Sequence, residues 1–439
     1  MGPVLSRTLM TRASAIPDAG LLSIMLVLFA VLFNALLAII NAHVTPVSAN
    51  AVIGMEVSIV VAAHAIILWH YKPQMLPWYG MIVIIVLFSV ERAFVVGELN
   101  PKFMRDVLLI PTFVLLGMTT HPRRLLTLVL VLHVLVVGGV LFEAYFTQAY
   151  SDLFGVRQYY IATRGAVEAD FWNRSSELFV SATRPGDRFF SFVDLHRISS
   201  VFLEPVSLGN YILIVTAFLC ANYRHLSLTV LTFLLLGNVI ALVGCDGRLA
   251  TVSSMIVVLV TLVATRLPRK SALLYLPATL VGAVLLIATL HPDFRDDNFS
   301  GRVAYGMQLL TRFDIWEWIG HSDRLVGPAA DSGIAYTITT QSIFGLIAFY
   351  IFLVLNAAER SPEQTKFLHA LCVFIVLTLL VSYSLFSIKT AALLWFIHGS
   401  FQITCMPRTA ASVRVSRERQ GSGIQGQPEH DGIHPVHLR

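Results

Sequence analysis

Apolar residues in this chain come in continuous runs of roughly 20, each long enough to cross about 30 Å of hydrocarbon as a helix. The runs fall at residues 21–40, 51–69, 77–94, 103–119, 125–143, 206–222, 226–243, 248–264, 272–290, 334–355, 366–382 and 387–404. A membrane β-barrel would show shorter segments of alternating hydrophobicity. Backbone groups in lipid must pair within the protein, so repeated continuous runs predict an all-α fold, a polytopic transmembrane bundle of about 12 spans. The first run follows Arg7 and Arg12 as a secretory leader would, but it exceeds the length of a leader's apolar region and reads as a retained first helix.

Composition agrees: 56% of residues are hydrophobic and 13% are charged, where a soluble domain carries about 25% charged residues. With the N-terminus in the cytoplasm, Lys72, Arg123, Arg124, Arg224, Arg266, Arg269, Lys270 and Arg360 all fall on inner connections, as the positive-inside rule requires. The spans make one unit, 1–406. The tail 407–439 is basic, lacks apolar periodicity and is expected to be disordered in the cytoplasm.

Two outer connections, 144–204 and 291–333, are much longer than the rest, and long loops without periodicity are usually functional. Arg157, Arg164, Arg174, Arg184, Arg188 and Arg197 lie in the first and Arg295, Arg302, Arg312 and Arg324 in the second, accompanied by Tyr159, Tyr160, Trp172, Trp316 and Trp318. Guanidinium groups grip phosphate oxygens in pairs, and aromatic rings pack on sugar faces or sit at headgroup level. An interfacial belt with loop salt bridges is the plainer reading of any single member.

Phosphate-loop, zinc-helix and serine-elbow motifs are absent from the sequence. The scattered Cys220, Cys245, Cys372 and Cys405 suggest neither a disulfide nor a metal cluster. Charges in mid-span are few, which weighs against an ion-driven transporter. Arg105 and Asp106 read as an embedded structural pair, and Asn34, Ser253 and Ser254 as helix-packing residues.

Three segments resemble the signature regions of the O-antigen ligase and Wzy-type polysaccharide polymerase superfamily. They are Arg197-Ile-Ser-Ser-Val-Phe-Leu-Glu-Pro-Val-Ser-Leu-Gly-Asn-Tyr211, Asp246-Gly-Arg-Leu-Ala-Thr251, and the stretch from Gly301-Arg302 through Gly327 to Asp331-Ser-Gly-Ile-Ala-Tyr336 and Gly345. The sequence departs from the family pattern at Glu204 and Val206, which stand where asparagines are usual. It departs again at Asp246-Gly247, and at Asp331-Ser332, where ligases tend to carry a histidine.

The resemblance implies a GT-C-like architecture and a metal-free, cofactor-free glycosyl transfer at the periplasmic face of a bacterial inner membrane, with both termini cytoplasmic. A glycan on undecaprenyl pyrophosphate would pass to a second lipid-linked repeat unit, building exopolysaccharide. A ligase of the same superfamily and a lipid-linked-oligosaccharide flippase or transporter are the alternatives. Arg197, Arg248 and Arg302 would stabilise the leaving pyrophosphate, and Glu204 or Asp331 would take the acceptor's proton. Arg188, His196, Ser200, Tyr305 and Tyr336 would contact substrate. Expected partners are the lipid-linked oligosaccharide, membrane lipids, a flippase and a chain-length or export protein, and no nucleic acid.

Two local expectations follow from helical spacing. Arg197, Ser200, Val201 and Glu204 would share one helix face, aiming a cation and a carboxylate together. Ser300 would cap a short helix presenting Arg302, Tyr305, Leu309 and Arg312.

Overall fold

The structure is a computed structural model that describes residues 18–403, except 168–170, 172, 174–175, 185–187, 295–297 and 330. Trp172, Arg174, Arg295, Cys405 and the tail 407–439 therefore lie outside the described residues. The described chain is helical with no strands. A long helix coincides with each of the twelve apolar runs: α1 (Ala19–His43), α2 (Ala49–Trp69), α3 (Leu76–Val96), α4 (Pro101–Gly117) and α5 (Pro122–Tyr145), then, after shorter helices, α8 (Pro205–Asn222), α9 (Leu228–Cys245), α10 (Arg248–Val263) and α11 (Tyr275–Leu290), and finally α15 (Gly333–Asn356), α16 (Pro362–Val381) and α17 (Ile388–Ile403). Ten of these, α3, α10 and α11 counted with their adjoining 3₁₀ turns, are long and apolar enough to cross a membrane. The chain is thus a multi-pass helical bundle. The remaining two, α4 and α17, have 17 and 16 residues and sit in its centre.

Boundaries follow local chemistry. Asn100 and His121 accept backbone N–H groups at the starts of α4 and α5, each followed by a proline whose missing donor is harmless in a first turn. Ser361 and Gln364 form a reciprocal capping box on α16.

Burial divides the bundle into two classes that sequence does not separate. The most apolar window of α16 is 94% buried, while that of the span ending in α11 is 11% buried and faces outward. In a membrane apolar contact alone does not favour helix association, so close packing of small residues does more of the work. The α4–α17 crossing shows this. A Cβ on Gly117 would collide with the Phe396 carbonyl, and one on Gly399 with that of Val114. Each glycine lets the opposite backbone approach.

The two long connections are partly helical, a correction to their reading as loops without periodicity except at the short helix expected after Ser300, which forms. The first holds α6 (Thr147–Phe154) and α7 (Val156–Arg164), and the second α12 (Phe299–Leu310), α13 (Ile315–Trp318) and α14 (Val326–Ala329). Val156, Arg157, Tyr159 and Tyr160 are the buried face of α7. Short connections make successive long helices antiparallel, so both long connections leave and rejoin the bundle at one end, called here the loop end.

Candidate functional site

At the loop end the first long connection between Ser181 and Arg197, the opening turns of α8, α10 and α12, the turn that follows α9 and the end of α16 enclose a cavity of about 680 Å³. Five arginines line it, Arg184, Arg188, Arg197, Arg248 and Arg302, against two aspartates, Asp194 and Asp246. Three helix N-termini open onto the same space, through Pro205 and Val206, through Gly247 and Arg248, and through Phe299. Unpaired N–H groups and the helix dipole make each of them partly positive. Asn210, 6% exposed, also lines the cavity, and its Nδ2 has no hydrogen-bond partner among the described residues. Excess arginine, convergent helix starts and a buried unpaired donor together make a site for an anion rich in acceptor oxygens.

The arginines divide by how they are held. Arg188 is an anchor. It donates to the carbonyls of Leu195, His196 (2.8 Å), Val243 (2.8 Å) and Gly244 (3.2 Å), and its Nε lies 3.8 Å from Asp246. Asp246, left-handed at φ 51°, accepts the N–H groups of Phe189 and Phe190. The turn between α9 and α10 thereby grips the long connection. Arg197 donates to the Cys245 carbonyl at 3.3 Å and to that of Ser181 at 3.4 Å. Arg248 is exposed on the first turn of α10, and Arg302 projects from the first turn of α12. Thus Arg197, Arg248 and Arg302, one from each of three distant segments, line one cavity.

The shared helix face expected for Arg197 through Glu204 does not form. Ser200 and Leu203 have φ of 54° and 62°, and only Ser200–Phe202 makes a 3₁₀ turn. The reversal sends Glu204 away from Arg197. Its carboxylate lies 2.5 Å from Arg164 Nη1 and 3.0 Å from Lys389 Nζ, and accepts Ser207 Oγ at 2.8 Å. Burial alone would raise the Glu204 carboxyl, but the charges of Arg164 and Lys389 outweigh it and hold the group down at about 2.

The same segment is fastened by a residue that sequence reasoning missed. Glu143, fully buried near the end of α5, accepts Ser199 N–H at 2.8 Å and Ser200 N–H at 2.6 Å, and its other oxygen lies 3.0 Å from His196 Nε2. A lone acid closing an apolar run was the available signal. Ser200 itself is buried and donates to Val136 O, so its hydroxyl is turned into the bundle. The His196 ring lines the cavity, with Nε2 committed to Glu143.

The other expected site residues lie elsewhere. Tyr336 donates to Asp106 at 2.6 Å in a network with Lys102, Arg105 and Glu56, so the embedded Arg105–Asp106 pair is part of a larger cluster. Tyr305 donates to Pro328 O at 3.1 Å. Asp331 is exposed beyond the cavity wall. Asn298, not Ser300, caps α12: its Oδ1 accepts Gly301 N–H at 2.8 Å, and Ser300 Oγ donates to the same oxygen. Asn34 accepts a hydrogen bond from Tyr159 at 2.7 Å and so ties α1 to the long connection.

In comparison with known proteins, the chain matches no family model, no curated protein and no solved structure.

Proposed function

We propose that this protein polymerises lipid-pyrophosphate-linked oligosaccharide units into exopolysaccharide, with the loop end on the periplasmic side of a bacterial inner membrane, both termini in the cytoplasm and twelve spans. The observation that carries the reading is the cavity in which Arg197, Arg248 and Arg302 meet three helix N-termini and the unpaired Asn210 amide. A pyrophosphate leaving group gathers negative charge as the glycosidic bond breaks, and fixed donors aimed at that charge stabilise the transition state without reorganising.

In this mechanism the acceptor hydroxyl oxygen forms a bond to the anomeric carbon of the donor glycan. The bond from that carbon to the pyrophosphate oxygen breaks, and its electron pair leaves with the carrier. The acceptor's proton goes to His196. With Nε2 hydrogen-bonded to Glu143, Nδ1 is the ring nitrogen left to accept it. Glu204 keeps its charge throughout, because a carboxyl held at about 2 is a poor proton acceptor near neutrality. It orders Arg164 and Lys389 beside the cavity.

Substitution of Arg197, Arg248 or Arg302 by alanine should lower polymer formed per unit of membrane-inserted protein by on the order of a hundredfold, or about 3 kcal/mol. Lysine keeps the charge but loses the paired donors, and should do less damage. Arg312→Ala, exposed outside the cavity wall, is the control. Near-normal specific yield in all three alanine variants would sink the assignment. The lipid-linked glycans of a deletion strain separate the alternatives. Single units accumulating outside fit a lost polymerase, polymer left on the carrier fits a lost ligase, and units trapped inside fit a lost flippase.

A further inference from the structure

A second cavity, of about 1010 Å³, lies between α3 and α15 and is walled mainly by apolar side chains, among them Ile84, Leu87, Phe88, Phe344 and Phe349. Its outward residues are exposed, Leu87 at 63% and Phe344 at 70%. In a membrane-spanning bundle this cavity is therefore a lateral groove facing the hydrocarbon.

Besides Thr337, and Glu91 with His321, the polar side chains of the groove meet at one spot. Helix α15 breaks at Ser342, where φ 66° and ψ 163° are not helical, and a fresh helix of residues 343–356 begins. Ser342 Oγ caps it by accepting Gly345 N–H at 3.0 Å. A new helix start presents backbone N–H groups and partial positive charge. Beside it the side chain of Gln341, 8% exposed, lines the groove, and its Nε2 has no partner among the described residues. A buried donor left unpaired costs about 1–3 kcal/mol, so an occupant made of hydrocarbon alone fits this groove badly.

Depth identifies the occupant. Glu91 pairs with His321 at 2.9 Å, and Arg92 pairs with Asp323 and donates to Gly320 O at 2.8 Å. These charged groups mark the membrane boundary on α3. From Pro73 to Val90 the helix then covers about 27 Å, close to the thickness of the hydrocarbon. A Cβ on Gly320 would lie 2.8 Å from Ser342 N and 3.2 Å from the Phe88 ring, so the break in α15 sits at the level of Phe88. That is less than one turn inside the boundary, where the acyl-ester carbonyls of a glycerophospholipid lie. Below it, as far as Pro77 and Phe352, the wall is apolar.

We infer that this groove binds one diacyl glycerophospholipid of the surrounding bilayer, with an ester carbonyl accepting from Gln341 and the new helix start, and an acyl chain along α3. A polyprenyl chain has no acceptor at that depth and leaves the amide unpaired. The test is to reconstitute the full chain with equal amounts of a diester phosphatidylcholine and its diether analogue, transfer it to mild detergent, and weigh retained lipid by native mass spectrometry. The wild type should retain one phospholipid and favour the diester about fivefold, the ratio given by about 1 kcal/mol from one hydrogen bond. Gln341→Leu should bind both lipids equally. Leu87→Trp, which fills the groove from an exposed position and leaves the core intact, should lose both. Equal retention of the two lipids by the wild type, a diester preference surviving in Gln341→Leu, or a polyprenyl phosphate displacing the diester lipid when offered alongside it would each overturn the inference.

Discussion

A single carboxylate, Glu143, holds together the segment that carries Arg197 and His196. Two backbone N–H groups end on one of its oxygens, away from water, and an imidazole at the cavity wall meets the other. Glu143→Ala strands all three, and charge-assisted hydrogen bonds of this kind contribute about 1.5–3 kcal/mol each. The variant should lose a large part of its thermal stability in detergent, read as the loss of size-exclusion signal on heating. Glu204 makes a pH prediction. Its carboxyl lies below the ordinary value when folded, so its stabilising contribution is complete above about pH 4.5 and is lost as pH falls toward 2. Wild-type melting temperature should therefore drop across that window more steeply than that of Glu204→Gln, and equal slopes would contradict the ion-paired geometry. Arg197, Arg248 and Arg302 were singled out because each stands in one of three segments that resemble the signature regions of one family, and the fold brings the three to one cavity. The direction of Glu204 was not, because left-handed residues at Ser200 and Leu203 leave no trace in residue spacing. Lys389, far along the chain in the last apolar run, gave no sign that its partner was Glu204.

At the scale of elements, the twelve helices were readable from hydropathy, yet their placement was not. A side chain facing lipid and one facing another helix are equally apolar, so α11 at the surface and α16 in the interior look alike in the sequence. Position is set by features with little hydropathy signal, such as the glycines at the α4–α17 crossing. Gly117→Ala and Gly399→Ala should each push the two backbones apart and lower the yield of folded protein, because the added methyl meets a main-chain carbonyl. Gly138→Ala on α5, where a Cβ meets nothing within 4 Å, should be neutral or slightly stabilising. Fluorescence-detected size exclusion of the three variants distinguishes the outcomes, and tolerance of both crossing variants would refute the close approach. Of the helices within the long connections, α12 was expected from its spacing, whereas α6, α7, α13 and α14 are too short to leave a clear period in the sequence.

For the whole molecule, the proposed orientation predicts accessibility. In a chain without its native cysteines, single cysteines at the exposed positions 152 and 311 should react with a membrane-impermeant reagent from outside. A cysteine at position 266 should react only after the cell is opened. The reverse pattern would invert the bundle and move the arginine cavity to the cytoplasm. The central place of α17 has a further consequence, concerning the order of synthesis. A helix buried along almost its whole length is the last of the twelve to leave the ribosome, and its partner α4, carrying Lys102, Arg105 and Asp106, is among the first. The cavity wall is likewise complete only when residue 382 has been made. Throughout most of translation, then, α4 waits in the membrane without the surface it fits. A nascent protein that stops before residue 388 leaves that vacancy open for good, and quality-control proteases should recognise it by its centre rather than by its missing end.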